Sequence, residues 1–166
     1  MMRYILFLAV LLCVASSADA YDSDSTSSAL TGNAALSLKK EDWRAVKYYT
    51  QRCITLYRTH ALKMQRKLKD YPPLETSQQY WALNDVAYAY FLQGEMYRMT
   101  GKIEKAKKMY VMVVEKFFFA QKYDPSLGGD WKVAEACQEQ LDEIMPELQK
   151  FKSQERFIKK DLKPLK

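Results

Sequence analysis

Histidine is nearly missing from this chain: among 166 residues there is one, His60. A lone histidine on a helical stretch reads as a surface or core residue. Metal ligation and general-base work both need further groups at set distances. No His, Cys, Asp or Glu grouping has zinc-site spacing, so neither a metal nor a cofactor is expected. Glycine is scarce too, with five residues, and none belongs to a phosphate-cradling loop. Serine and threonine gather near the N-terminus and at helix caps, and no nucleophile elbow is present. Convincing alternation of apolar and polar residues is lacking, which argues against sheet structure. These shortages leave metal, nucleotide and nucleophilic catalysis poorly supported.

Cysteine is also sparse. Of three residues, Cys13 falls within the first twenty and two remain, Cys53 and Cys137. In an oxidising compartment they form a candidate disulfide. Each also sits on an apolar helical stripe, where free cysteine packs as a small hydrophobe.

What is present begins with MMRYILFLAVLLCVASSADA. One arginine precedes an apolar run from Tyr4 to Ala15, and Ala18-Asp19-Ala20 supplies small residues for cleavage. Residues 1–20 therefore read as a secretory signal. The run is short of the roughly 20 residues that span a bilayer as a helix, so no stable membrane insertion is expected after its removal. Leu12 before Cys13 is too large for a lipidation signal. The expected location is exported, periplasmic or secreted, and the periplasm is favoured.

Loss of that segment removes Arg3 and Asp19 and leaves the net charge at +6. Much of the excess lies in the basic tail, residues 151–166, FKSQERFIKKDLKPLK. Nucleic-acid binding calls for a basic face with stacking groups or a known motif. Neither is evident, so no nucleic-acid partner is expected.

The remainder reads as all-α. Residues 21–29, YDSDSTSSA, are polar and Ser-rich and suggest a disordered leader. A first helix is expected from about Ala29 to Leu38. A second opens at the N-cap Asp42 and ends at Pro72-Pro73. Thr76 and Gln79 resemble a capping box that starts a third, which stops at Thr100-Gly101. The fourth is expected from Lys102 to about Lys122. The loop YDPSLGGD follows, and Asp130 is expected to cap a fifth helix, with Pro146 kinking it or opening another. The predicted architecture is a set of antiparallel helical hairpins in residues 30–150.

In AYAYFLQGEMYRMTGKIEKAKKMYVMVV, small residues alternate with large ones at helical spacing. Tyr90, Gly94 and Tyr97 share one stripe, and Ala106, Tyr110 and Val113 share another. Gly94 and Ala106 would let two backbones approach closely, while Gly101 turns the chain. At these positions the sequence resembles a tetratricopeptide repeat. Gln93 stands where leucine is usual, and the closing proline is displaced to Pro125. A degenerate second unit precedes it, with Asp42-Trp43 at the turn and Ala45 and Tyr49 as the alanine and aromatic; Glu41 replaces the turn glycine. Ala45 and Ala106 lie 61 positions apart, so the helices flanking Pro72-Pro73 are expected to be long. The resemblance implies a right-handed superhelix with extended helices and a C-terminal capping helix in residues 130–150, whose Val133, Ala134, Cys137 and Leu141 cover the last repeat.

Function then follows as an expectation. The resemblance implies that the third helix lines a partner-contacting surface, through Asn84, Tyr88, Phe91, Glu95 and Arg98. Asn84 would bond a peptide backbone, Tyr88 and Phe91 would anchor apolar groups, and Glu95 and Arg98 would select charge. Burial of Tyr88 and Phe91 against the second helix is the competing assignment. Phe117-Phe118-Phe119 and Trp131 read chiefly as core. The expected role is a non-catalytic adaptor or assembly accessory binding a protein or peptide. The enzyme alternative is a secreted glycan hydrolase using paired carboxylates, Asp85 with Glu95 or Glu135 with Glu139.

Overall fold

In a computed structural model, residues 25–124 and 129–146 are described. Residues 1–24, with the expected signal and most of the expected leader, residues 125–128, and residues 147–166, with the expected basic tail, lie outside them. Among the described residues the fold is predominantly helical. α1 spans Ser27–Lys39 and α2 Trp43–Gln65; a short α3, Leu74–Ser77, and a 3-10 turn, Gln78–Tyr80, lead into α4, Trp81–Met99. α5 follows at Ile103–Lys116, and residues 133–146 form α6. No helix among the described residues is long and apolar enough to cross a membrane.

α1 and α2 make one hairpin, α4 and α5 another, and α4 also packs against α1 and α2. The two hairpins reverse by the same device. Lys102 N–H reaches back to the Tyr97 carbonyl at 2.8 Å, and Asp42 N–H to the Ser37 carbonyl at 3.0 Å. Each closes a helix with a left-handed residue just beyond its end. Gly101 holds φ at +68°, and Glu41, which stands where a turn glycine is usual, holds +57°.

From Glu41 to Gly101 is 60 positions, one fewer than the spacing expected from Ala45 and Ala106. The turn register equates Val46, Thr50 and Cys53 with Ala106, Tyr110 and Val113, and all six are fully buried. Ala45 and Tyr49 are buried beside that stripe but are one step out of register. The extra length lies in the 23-residue α2 and in the connection that holds Pro72, α3 and the 3-10 turn.

Several expected boundaries move. Ser27 to Ala29 are already helical, with Thr26 as the cap, so the leader ends earlier than residue 29. Thr76 does not start α4: its hydroxyl bonds the Pro73 carbonyl, and Tyr80 precedes the helix without a side-chain cap. α5 stops at Lys116 rather than near Lys122. The following stretch forms an antiparallel hairpin, β1 Gln121–Asp124 with β2 Gly129–Lys132, in which Lys122 faces Trp131 across the ladder. Asp130 therefore lies in a strand instead of capping a helix. Strands of four residues are too short to display a period in sequence.

α6 buries Val133, Ala134, Cys137, Leu141 and Ile144, the first four as expected of a covering helix. Phe117 is fully buried while Phe118 remains 43% exposed, in a turn just beyond the end of α5 and not on a helix as expected.

Candidate functional site

Gly94 on α4 packs against the ring of Tyr110 on α5. A Cβ on Gly94 would lie 2.8 Å from the Tyr110 Cδ1 atom and nearer still to Cε1. The glycine leaves a hole and the ring fills it. Tyr90, also buried, stacks on Phe117 with centroids 5.5 Å apart. Tyr97 is half-buried under Lys105, whose ammonium lies 5.7 Å from its ring centre. Ala106 is fully buried.

The Tyr110 hydroxyl donates to Glu95 Oε1 at 2.5 Å. Arg98, one helical turn on, donates to Glu95 Oε2 at 2.6 Å. Burial raises the Tyr110 pKa well above the ordinary phenol value, and the bond to the Glu95 carboxylate raises it further. The same carboxylate, chiefly through its hydrogen bond, strengthens the hold of Arg98 on its proton. Glu95 and Arg98 are thus brought together, but the carboxylate is already committed to two internal donors.

Asn84 is turned into the fold. It is buried; its amide donates to the Ser77 carbonyl at 3.0 Å and its oxygen accepts from Gln121 N–H at 3.0 Å. It ties the α3 segment to β1. Gln121 in turn donates from its side chain to the Pro72 carbonyl. Nothing in the residue type distinguishes an asparagine that bonds a guest backbone from one that bonds its own.

Tyr88 and Phe91 lie half-buried and stacked, with planes 11° apart. Trp131 from β2 meets both edge-on, at 5.8 Å from Tyr88 and 4.9 Å from Phe91. Lys122 covers Tyr88 at 5.1 Å. The face expected to receive a partner is occupied by the chain's own hairpin.

A second polar node joins three elements. Asp85 on α4 accepts from the Ser27 hydroxyl at 2.6 Å and pairs with Lys122 at 2.8 Å. Cys53 is close enough to feel it: burial first, then the Asp85 charge, push this thiol up to about 12, with Lys122 opposing. Cys137 is raised by burial and by Glu95. Both cysteines are free and buried, which overturns the candidate disulfide. Asp85 and Glu95 stand ten residues apart on one helix, about 15 Å of rise. That separation keeps Asp85 and Glu95 outside the roughly 5–10 Å of a glycan-cleaving pair. Glu135 is exposed and paired with Lys132 at 2.9 Å, as ordinary surface charge.

The strongest surface feature was not among the expected residues. Between Trp43 and Lys69 the chain carries eight Lys or Arg and no Asp or Glu. All eight, from Arg44 to Lys69, are exposed. A groove of about 710 Å³ runs along this side of α2, lined by Arg44, Lys47, Tyr48, Gln51, Arg52 and the exposed Leu56, among others. Arg52 also donates to the Ser25 hydroxyl at 2.8 Å. Beyond the groove, His60 stacks on the exposed Trp81, 5.3 Å between centres, and Tyr57 meets that indole edge-on at 5.4 Å. The one-signed charge was readable in the sequence as an unbroken run; the modest net total conceals it.

No family model matches the chain, and no curated protein or solved structure matches it either.

Proposed function

We propose that this chain is an exported, non-catalytic adaptor of tetratricopeptide-like design that docks an acidic protein segment along α2. The observation that carries the reading is the exposed run of eight cations on and just beyond one helix, without an intervening acid. Two helical hairpins joined through α4, with matching left-handed turns at Glu41 and Gly101, support the repeat-like part of the reading. The expected docking face moves from α4 to α2, because Trp131 covers Tyr88 and Phe91.

Recognition would combine two terms. Lys47, Arg58 and Lys63 present charge, which speeds encounter and selects sign. Leu56, 51% exposed, offers apolar area that a purely ionic contact lacks. An acidic helix laid along the Lys47–Arg58 flank, with its carboxylates turned toward α2, supplies the charge, while Leu56 and Lys63 lie on the opposite flank.

Fluorescence anisotropy with a labelled Glu- and Leu-containing helical peptide tests this. Saturable binding that weakens with salt, and weakens at least about tenfold (1.4 kcal/mol) in the triple variant Lys47→Glu, Arg58→Glu, Lys63→Glu, is expected. Undiminished binding by that variant overturns the reading. So does capture of anionic lipid vesicles without peptide binding, which would assign α2 to a membrane surface.

A further inference from the structure

The chain carries its own counterpart to the basic face. On α6, Glu135, Glu139, Asp142 and Glu143 are all exposed. At about 100° per residue they occupy an arc of roughly 100°. That arc lies away from the stripe formed by Val133, Ala134, Cys137, Leu141 and Ile144, which is buried. The four acids span eight positions, or about 12 Å of rise, comparable with the stretch of α2 from Lys47 to Arg58, about 16 Å. Among the described residues no ion pair joins a cation of α2 to an acid of α6; the α6 acid with an ion partner is Glu135, held by Lys132 within its own segment.

We infer that the acidic segment received by α2 is the outer face of α6 from a second copy of this chain. This rests on the reading of α2 as a docking face and names its occupant. The contact joins two different surfaces, so it is head-to-tail: each copy keeps an unused α2 at one end and an unused α6 at the other. Such contacts grow into open chains or close into rings, which suits an assembly accessory. Because the attraction is between exposed charges, it weakens where the Debye length shrinks to about 3 Å, near 1 M salt.

A charge swap tests it on the mature chain. One variant reverses α2 with Lys47→Glu, Arg58→Glu and Lys63→Glu; the other reverses α6 with Glu139→Lys, Asp142→Lys and Glu143→Lys. The wild-type protein is expected to sediment as salt-sensitive oligomers. Each variant alone is expected to sediment as a monomer, and an equimolar mixture is expected to associate again, since both of its mixed junctions pair opposite charges. A mixture that stays monomeric overturns the inference. If a variant does not fold, zero-length carbodiimide coupling on wild-type protein mixed from light and heavy isotope preparations replaces it. Lys–carboxylate links between α2 and α6 that join light to heavy chains support the contact, and oligomers lacking them overturn it. Wild-type protein that is monomeric throughout yet still binds the acidic peptide overturns self-recognition alone; failure of the peptide as well removes the parent reading.

Discussion

The ring of Tyr110 occupies the space that a side chain on Gly94 would need. This contact joins α4 to α5, and the ring cannot swing aside. Its hydroxyl is bonded to Glu95 at 2.5 Å and its side chain is fully buried. Gly94→Ala is therefore expected to destabilise the fold by about 1–3 kcal/mol, the usual cost of overpacking. Urea unfolding measures it. Adding Tyr110→Leu should recover part of the loss, because the two sites share one volume; strict additivity would mean that the alanine clashes elsewhere.

The paired turns predict substitutions of opposite sign. Gly101 holds a positive φ that an L side chain adopts at a cost of about 1–2 kcal/mol, so Gly101→Ala should lower stability by about that amount. Glu41 already bears this strain at φ +57°. Glu41→Gly should raise stability, by less than 1 kcal/mol or so once the greater freedom of unfolded glycine is counted. Thermal melts of the two single variants should shift in opposite directions.

Asp85 binds α1 and β1 to α4. Asp85→Asn leaves the Lys122 ammonium, 30% exposed, facing a neutral group. The cost should be about 2 kcal/mol, less than for a fully buried pair because water reaches the lysine. Ser27→Ala removes one hydrogen bond to a charged group and should cost about 1.5 kcal/mol. Amide exchange is expected to quicken first in α1 and β1, the elements that the node secures.

Alkaline pH should loosen the protein before acid does. Cys53 has its thiol raised from 9.0 to about 12, mainly by burial, and Cys137 and Tyr110 are raised as well. For a group with a raised folded pKa, stability is whole below the unfolded value and declines as pH climbs toward the folded one. The unfolded chain releases protons that the folded chain keeps. Loss from Cys53 should begin near pH 9 and continue to about 12, at roughly 1.4 kcal/mol per pH unit, with Tyr110 adding to it from about pH 10 upward. Cys53→Ala should reduce that slope, as followed by urea titration at successive pH values.

The same burial predicts thiol chemistry. Neither Cys53 nor Cys137 should react with an aromatic disulfide reagent in the native state, and both should become reactive on unfolding. Mass mapping without reductant should find no bridge between them. One native-reactive thiol would show that its helix opens readily.

Much of the helical order could be read directly. The stripe through Val46, Thr50 and Cys53 and the reversal at Gly101 depend on neighbours within a turn or two, whereas α2 stops at Gln65, well before the Pro72-Pro73 expected to end it. Local periodicity and backbone preference are carried by the residues themselves. The basic run on α2 belongs to this class too, since consecutive charges of one sign need no partner to be seen. Glu41 shows the limit: its left-handed turn follows from the helix-closing bond to Ser37, against its own preference. Tertiary structure decided the rest. Asn84 turned inward because Ser77 and Gln121 came within reach, and Tyr88 and Phe91 were covered because β2 brought Trp131 across them. Those outcomes depend on distances between segments far apart in the chain, which spacing along the chain does not contain.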